Sequence, residues 1–303
     1  MGTRERRLRS NERDLLLSDL FLASGADSQE LAIAAVGSFG RGELSPGSDL
    51  DIVILHKGSY KTSELTAIVN AILYPLWDQK IKVDHSVRTR AEVRAALEDD
   101  LKVAMGLLDI RLICGSADLV ADIQSMALES WRNESSKYLP LLEATLEERY
   151  ERNGELAYLL EPDLKESRGG LRDITALRAM NTSGAMTLPM ERVSQAESLL
   201  STVRETLHNT SGRDKDRLLF AEQDKVAAEL GYSDADALMS DVAQSARAVD
   251  YLMQMAWHQY HHKGKDGLGR FLRRVRSTTI APGISVSNNE VVIDSTFDID
   301  SDP

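Results

Sequence analysis

Two apolar runs joined by a glycine-rich turn constrain the fold of this chain more than any other feature. The first run spans residues 31–36, and the second follows Asp49 and Asp51 and ends at Leu55. Each run is short, apolar and bounded by turn residues, which predicts a strand. Residues i and i+2 of a strand lie on the same face, so Asp49 and Asp51 are expected to project together.

This pair of carboxylates indicates a cation site. Two carboxylates side by side repel each other unless a cation lies between them. Mg²⁺ prefers oxygen ligands, usually one or two carboxylates together with phosphate oxygens. The turn that precedes the pair, Gly37-Ser38, carries a hydroxyl and N–H groups that could hold those phosphates. The alternative is a β-hairpin with two solvated aspartates.

Three strings of residues resemble one known family. Gly-Ser, ten residues and then Asp-x-Asp resembles the signature of the polymerase-β-type nucleotidyltransferase superfamily. The longer string from Gly40 to Asp49 resembles the nucleotidyltransferase part of the bacterial PII-protein uridylyltransferases. Lys-Glu-x-x-Gly-Gly-Leu-Arg-Asp at 165–173 and the segment 203–232 are similar to the same family. The similarity covers roughly residues 30 to 265.

The resemblance implies both a fold and a reaction. The fold is an α/β (α+β) polymerase-β-like nucleotidyltransferase domain followed by an all-helical domain. The reaction is transfer of UMP or AMP from UTP or ATP to a hydroxyl side chain of a PII-type nitrogen signalling protein. Family members differ in the donor, so UTP and ATP both stay open.

The resemblance also implies the residues of the site. Asp49 and Asp51 would hold two Mg²⁺ ions together with Asp84, a third carboxylate from a neighbouring strand at 81–88, and Asp84 could also take the acceptor proton. The alternative for Asp84 is a charge at a strand end. The residues expected to contact the nucleotide are Gly37, Ser38, Arg41, Lys165, Gly169, Gly170 and Arg172.

Two interruptions of the helical part carry information. The loop at 160–173 combines a proline, a double glycine and several charges, so it cannot be a core helix. Gly169-Gly170 before a helix start leaves N–H groups free for phosphate, and the alternative is a surface turn with solvated charges. In the second interruption, Gly212-Arg213 and Asp216-Arg217 could bind nucleotide or brace helices, and bracing is favoured.

The sequence predicts three regions. Residues 1–115 form the nucleotidyltransferase domain with an N-terminal helix at 8–23, and residues 116–265 form the helical domain. Residues 266–303 form a polar tail in which 284–286 and 291–293 predict a hairpin. Within the first region, Ser63 is expected to cap one helix, and Thr89 with Glu92 predicts a capping box at the start of another.

Composition narrows the class of partner. The net charge of −12 argues against an extended nucleic-acid partner, because such binders usually carry a basic footprint. Cys114 is the single cysteine, and no run long enough to span a bilayer appears, so a cytoplasmic location is expected. A transferase acting on RNA or a small molecule, and a non-catalytic nucleotide-binding regulator, are the alternative functions.

The resemblance further implies that this sequence lacks two kinds of domain found in full-length family members. Full-length family members continue into a phosphohydrolase domain named for its His-Asp pair and then into small regulatory domains. No His-Asp dipeptide occurs in this sequence. The chain is therefore expected to carry transfer activity without the removing activity, as a fragment of a longer protein or as a short natural homologue.

Overall fold

The computed structural model describes residues 2–212, 214–269, 278–281, 284–287 and 290–293. The chain divides into two compact units, Met1–Ala256 and Trp257–Pro303. The boundary expected near residue 115 lies inside the first unit and stays a prediction. Among the described helices, none combines the length and the apolarity that crossing a lipid bilayer requires.

A four-stranded sheet forms the centre of the first unit, with the strand order β3-β2-β1-β4. Strand β2 pairs antiparallel with β1 and parallel with β3, and β4 pairs antiparallel with β1. The strands predicted at 31–36, from Asp49 to Leu55 and at 81–88 are confirmed as β1 Leu31–Ala35, β2 Leu50–His56 and β3 Val83–Thr89. The fourth strand is β4 Arg111–Gly115.

The two faces of this sheet contribute to two separate cores. Ile52 and Ile54 of β2 lie in the core beside the helix at Thr62–Asp78, whereas Val53 and Leu55 lie in the core on the opposite face. This alternation follows from the pleat of the strand. Asp51 therefore shares the face of Val53 and Leu55.

Helices surround the sheet and continue beyond it, as the predicted fold class requires. The turn expected at Gly37-Ser38 is a single helical turn, and the capping box of Thr89 with Glu92 is confirmed. The expected cap at Ser63 is wrong, because the helix already begins at Thr62 and no side chain caps it. The helices of the sheet-bearing part are α1 Gly2–Ala23, α2 Gly37–Gly40, α3 Thr62–Asp78, α4 Arg90–Asp99 and α5 Leu101–Leu107.

The part that follows β4 is helical, with a short 3-10 turn at Leu156–Tyr158. A stacked pair of buried rings, Trp131 and Tyr138, joins its first two helices to the sheet core. The helices are α6 Ala117–Asn133, α7 Ser135–Asn153, α8 Leu171–Thr182, α9 Glu191–Ser211, α10 Phe220–Leu230 and α11 Ala235–Gly269.

The second unit contains a small antiparallel sheet in the order β5-β6-β7. Its strands are β5 Thr278–Ala281, β6 Ile284–Ser287 and β7 Glu290–Ile293. The hairpin predicted for the tail is confirmed by the pairing of β6 with β7. Strand β5 adds a third member that the apolar runs did not indicate.

A buried ion pair ties the N-terminal helix to the helical part. Glu205 of α9 accepts hydrogen bonds from Arg6 at 3.3 Å and from Arg9 at 3.0 Å. The side chains of Arg6 and Glu205 are only 7% and 5% exposed. Arg9 also donates to the carbonyl oxygen of Leu44 at 2.6 Å. One carboxylate thus holds α1 and α9 together beside the loop that leads to Asp49.

Glu205→Ala is expected to lower the free energy of unfolding by about 3 kcal/mol, because it removes a buried carboxylate that two guanidinium groups share. Denaturant unfolding measures the change. Asp122→Ala is the control, since Asp122 pairs with Arg90 at an exposed position and should change stability little. Equally small losses in both variants would contradict the brace.

Candidate active site

Strand register brings two of the predicted carboxylates together. Asp51 of β2 lies directly opposite Asp84 of β3 in the parallel pair. Neighbouring strands lie about 4.8 Å apart, so the two side chains occupy adjacent positions on one face of the sheet. Asp49 precedes β2 by one residue. Asp51 is half-buried, whereas the side chain of Asp84 is 66% exposed.

The electrostatics of Asp51 show that the three carboxylates interact. Burial raises the pKa of Asp51, and the negative charges of Asp84 and Asp49 raise it further. The positive charges of Lys102 and Lys165 oppose this effect. A carboxylate with a raised pKa is held ionised at a cost, and a bound cation would offset that cost.

The donor set fits a hard divalent cation without forming a closed cage. In the described residues, no group of three or more His, Cys, Asp or Glu side chains is arranged to hold a metal ion. The three carboxylates supply the oxygen ligands that Mg²⁺ prefers, and phosphate oxygens usually complete such sites. The donor chemistry is therefore suitable, and the prediction of two Mg²⁺ ions stays a prediction.

The turn at Gly37 packs against this face. Gly37 has a φ of +57°, and a Cβ atom there would lie 3.4 Å from the Oδ2 atom of Asp51. The preceding residue, Val36, donates its N–H to the Asp51 carbonyl oxygen at 3.0 Å. The predicted phosphate-binding turn, Gly37-Ser38, is thus next to the carboxylates, and a side chain at position 37 would be strained there.

Two lysines face the carboxylates from different elements. Lys102, at the start of α5, has its Nζ atom 3.8 Å from the Oδ2 atom of Asp84. Lys165 lies in the loop before α8, where burial and the charges of Arg204 and Arg172 lower its pKa. No described carboxylate forms an ion pair with Lys165, although its charge acts on Asp51. The sequence indicated Lys165 but not Lys102, because no motif marks that position.

The double glycine of the loop at 160–173 serves packing. Gly169 has a φ of +85°, and a Cβ atom there would lie 2.6 Å from the carbonyl oxygen of Ala246 in α11. Its N–H donates to Asp173 at 2.6 Å, and the N–H of Gly170 donates to the Ser167 carbonyl at 2.9 Å. The N–H groups expected to be free for phosphate are therefore already bonded within the loop. Nucleotide binding by either glycine stays a prediction.

The two predicted phosphate-binding arginines are paired with carboxylates. Arg41 donates to Glu43 at 2.8 Å and to Asp109 at 2.5 Å. Arg172 is half-exposed and lies 2.9 Å from Glu166. Either guanidinium would have to exchange a carboxylate for a phosphate in order to bind nucleotide.

A clamp formed by Arg204, His208 and Asp216 holds the loop that leads into Asp49. Arg204 donates to both carboxylate oxygens of Asp216, at 2.6 and 3.3 Å, and to the Ser45 hydroxyl at 2.9 Å. The Nε2 atom of His208 lies 2.8 Å from Asp216. A Cβ atom on Gly47 would lie 3.2 Å from the Nδ1 atom of His208.

The clamp agrees with the bracing role favoured for Asp216. Its carboxylate accepts hydrogen bonds from Arg204 of α9, and Arg204 in turn contacts the loop at 45–48. Nucleotide binding by this segment stays a prediction. A second contact, between Lys82 and Asp214, links the same segment to the residue before β3. Arg213 lies outside the described residues.

Comparisons with known proteins agree with this geometry. Residues 141–182 and 177–257 match the family model described as GlnD PII-uridylyltransferase, and residues 23–106 match the nucleotidyltransferase domain. The second match contains Asp49, Asp51 and Asp84, and the first contains Lys165. The two matches therefore cover both sides of the candidate site.

Similar full-length proteins come from several bacteria, and each is named a bifunctional uridylyltransferase/uridylyl-removing enzyme. The protein from Streptomyces coelicolor is 43% identical over 288 residues, which cover 95% of this chain and 33% of that protein. The protein from Mycobacterium tuberculosis H37Rv is 33% identical over 92% of this chain and 35% of its own length. The protein from Vibrio parahaemolyticus is 32% identical over 94% and 33%. The chain spans about a third of the length of these relatives.

The clamp predicts a pH-dependent contribution to stability. Burial alone would raise the pKa of Asp216, but the hydrogen bond with His208 and the charge and hydrogen bonds of Arg204 lower it to about 2. A carboxylate whose folded pKa is depressed stabilises the fold above its unfolded pKa of about 3.9 and loses that contribution as the pH falls through the folded value.

Asp216→Asn is therefore expected to lower the free energy of unfolding by about 2 kcal/mol at pH 6 and by less at pH 3. Denaturant unfolding of both proteins between pH 3 and pH 6 measures the difference. A difference that stays constant over this range would show that the charge of Asp216 contributes nothing to the clamp.

Proposed function

The chain belongs to the PII-uridylyltransferase family, and from this premise we propose that it transfers UMP or AMP from UTP or ATP to a hydroxyl side chain of a PII-type signalling protein. The observation that carries the proposal is the register of Asp51 opposite Asp84, with Asp49 beside them, inside the segment that matches a nucleotidyltransferase domain. The relatives are named for transfer and removal, and transfer alone is proposed for this segment.

Asp49, Asp51 and Asp84 are proposed to hold Mg²⁺. Bound Mg²⁺ would lower the pKa of the acceptor hydroxyl and offset the charge of the triphosphate. The half-buried position of Asp51 supports a ligand role, because the neighbouring carboxylates that raise its pKa also favour a cation there. The exposed position of Asp84 supports a second role towards the acceptor.

The transfer step makes and breaks one bond at the α-phosphorus. The acceptor oxygen bonds to the α-phosphorus, the bond to the bridging oxygen of the β-phosphate breaks, and pyrophosphate leaves. The acceptor proton passes to Asp84, which lies at the edge of the sheet where a bulky acceptor can approach. The helical part supplies no group to this bond change.

Lys165 is proposed to bind the triphosphate from the helical part. Its ammonium is desolvated, acts electrostatically on Asp51 and forms no ion pair in the part of the chain that the structure describes. The charges of Asp216 and Glu166 oppose this desolvation only in part, and a triphosphate would add further negative charge beside the ammonium. Gly37 and Ser38 are also proposed to contact phosphate. Arg41 and Arg172 are proposed to contact it after they exchange their carboxylate partners for phosphate.

Asp51→Asn is expected to reduce transfer by at least ~100-fold, because the amide keeps the shape of the side chain but not the charge that binds the cation. Incorporation of labelled UMP or AMP into a purified PII protein measures the rate, and running it with UTP and with ATP identifies the donor. The unfolding temperature of the ligand-free variant should stay the same or rise, because the substitution relieves repulsion among the carboxylates.

The control for this substitution is Asp122→Asn, which changes an exposed aspartate on α6. Its transfer rate should equal that of the unmodified chain. Activity of Asp51→Asn within a few-fold of that rate would overturn the assignment of the carboxylates.

Lys165→Met is expected to raise the KM for the nucleotide about ten- to a hundred-fold, because it removes a charge-assisted contact to phosphate. Burial lowers the pKa of Lys165, so loss of the charge should not destabilise the ligand-free chain. Arg172→Ala should raise the KM less, since Arg172 must first leave Glu166.

Thermal unfolding with and without Mg-nucleotide provides a second measurement for both variants. Stabilisation by a ligand follows its affinity, so the shift in unfolding temperature should shrink most in Lys165→Met. Unchanged kinetics together with an unchanged shift in Lys165→Met would mean that this lysine does not contact the nucleotide.

A further inference from the structure

Strand β3, which carries Asp84, is an open edge of the sheet. It pairs with β2 over seven consecutive residues, and no described strand of the unit Met1–Ala256 pairs with its other side. The opposite edge strand, β4, differs because α1 packs against it and Asp14 of α1 accepts hydrogen bonds from Arg111 at 2.7 and 3.1 Å. In the described part of this unit, the edge nearest the carboxylates is therefore open to pairing.

The register identifies the backbone groups that point outward from β3. The N–H of Leu50 donates to the Lys82 carbonyl oxygen at 2.9 Å, so the backbone of Lys82 faces β2. Backbone direction alternates along a strand, so the next residues facing β2 are Asp84, Ser86 and Arg88. The outward-facing residues are Val83, His85, Val87 and Thr89, and the N–H of Thr89 already donates to Glu92 at 2.7 Å. Within the described part of this unit, no other segment bonds to the backbone N–H or C=O groups of the first three.

This edge lacks several of the features that usually protect sheet edges. Natural sheets shorten an edge strand, interrupt it with a bulge or proline, or cover it. Strand β3 contains no proline, and its register with β2 is continuous from Val83 to Thr89. An edge of this kind is a template for an added strand, which is a common way for proteins to bind extended peptides.

The position of Asp84 relates this edge to the chemistry of the site. An added strand would lie about 4.8 Å beyond β3, and directly opposed Cβ atoms on neighbouring strands lie about 4.5–5.5 Å apart. A side chain paired opposite Asp84 would project from the same face of the sheet as Asp51 and Asp84. The three side chains would then form a row across three strands, with the incoming side chain next to Asp84.

The other face of the same edge offers aromatic contacts. His85 packs edge-on against Trp77 of α3, with ring centroids 6.1 Å apart, and Trp77 packs against Tyr74 at 5.5 Å. Trp77 and Tyr74 remain 42% and 55% exposed. Side chains of an added strand that alternate with the one opposite Asp84 would project towards these rings.

We propose that β3 is the docking strand for the acceptor protein. An extended segment of the acceptor adds to the outward backbone groups of Val83, His85 and Val87 and thereby presents its hydroxyl side chain beside Asp84. The partner segment is extended, carries the hydroxyl on one face and carries apolar or aromatic side chains on the other. This inference rests on the proposed function, since it specifies how the hydroxyl of that reaction reaches the site.

Residue-resolved hydrogen exchange of the 303-residue chain tests the docking directly, with a purified PII protein as the probe. The amides of Asp84, Ser86 and Arg88 are bonded to β2 and should be protected with or without PII. The amides of Val83, His85 and Val87 should exchange fast in the free chain and at least ten-fold more slowly with PII bound.

A pair of substitutions at His85 isolates the backbone contribution. His85→Pro removes an outward N–H without removing a bond to β2, whereas His85→Ala removes the ring and keeps the N–H. The proline variant should have a KM for PII about three- to ten-fold above that of the alanine variant, as expected for one lost hydrogen bond. The KM for the nucleotide should be the same in both. Thermal unfolding checks that both variants fold. If the proline variant does not fold, the hydrogen-exchange measurement still tests the proposal, because it uses the unmodified chain.

Three results of these experiments would overturn the docking strand, and they differ in what they imply for the proposed function. Transfer to PII without protection of the three outward amides would overturn the docking strand and leave the proposed function intact. Absence of any transfer to PII by the unmodified chain would overturn both. Protection of these amides already in the free chain would assign the edge to a second copy or to another segment of this chain, and would likewise overturn the proposal.

Discussion

The in-register pairing of β2 with β3 is the constraint on which the site depends. It forces Asp51 and Asp84 onto adjacent positions of one face, with Asp49 beside them. Negative charge is therefore concentrated at the N-terminal ends of β2 and β3. Such a cluster costs free energy unless cations offset it. Lys102 and Lys165 supply part of that positive charge, and they come from two different elements, α5 and the loop before α8. The cost that remains favours the binding of a divalent cation.

The helical part braces the loop that leads into Asp49. The clamp of Arg204, His208 and Asp216 holds the loop at 45–48, and Glu205 anchors α9 to α1 beside the same loop. The loop at 160–173 satisfies its own N–H groups and packs through Gly169 against α11, which positions Lys165. Some charged residues of this part thus brace the loop, whereas Lys165 acts electrostatically on Asp51.

The sequence predicts local features of this protein well and long-range partners poorly. Strands β1 and β2 and the capping box at Thr89 all follow from spacing over a few residues. The expected projection of Asp49 and Asp51 from one strand stays a prediction, because β2 begins at Leu50. The position of Asp84 opposite Asp51 needed a family resemblance, because register between strands thirty residues apart leaves no local pattern. The position of Lys102 and the contact of Arg41 with Asp109 depend on how distant elements pack. The same reason explains why the glycines at 169 and 170 suggested phosphate binding when packing against α11 already accounts for Gly169.

The most direct test of this account is to locate a divalent cation relative to the two strands. Mn²⁺ can replace Mg²⁺ as a paramagnetic probe, and it broadens the NMR signals of nearby amides. With nucleotide present, substoichiometric Mn²⁺ is expected to broaden the amide signals of Gly37, Asp51 and Asp84 first, and Asp84→Asn is expected to weaken this effect. Broadening centred elsewhere, or unchanged in that variant, would contradict the claim that the paired strands form the cation site.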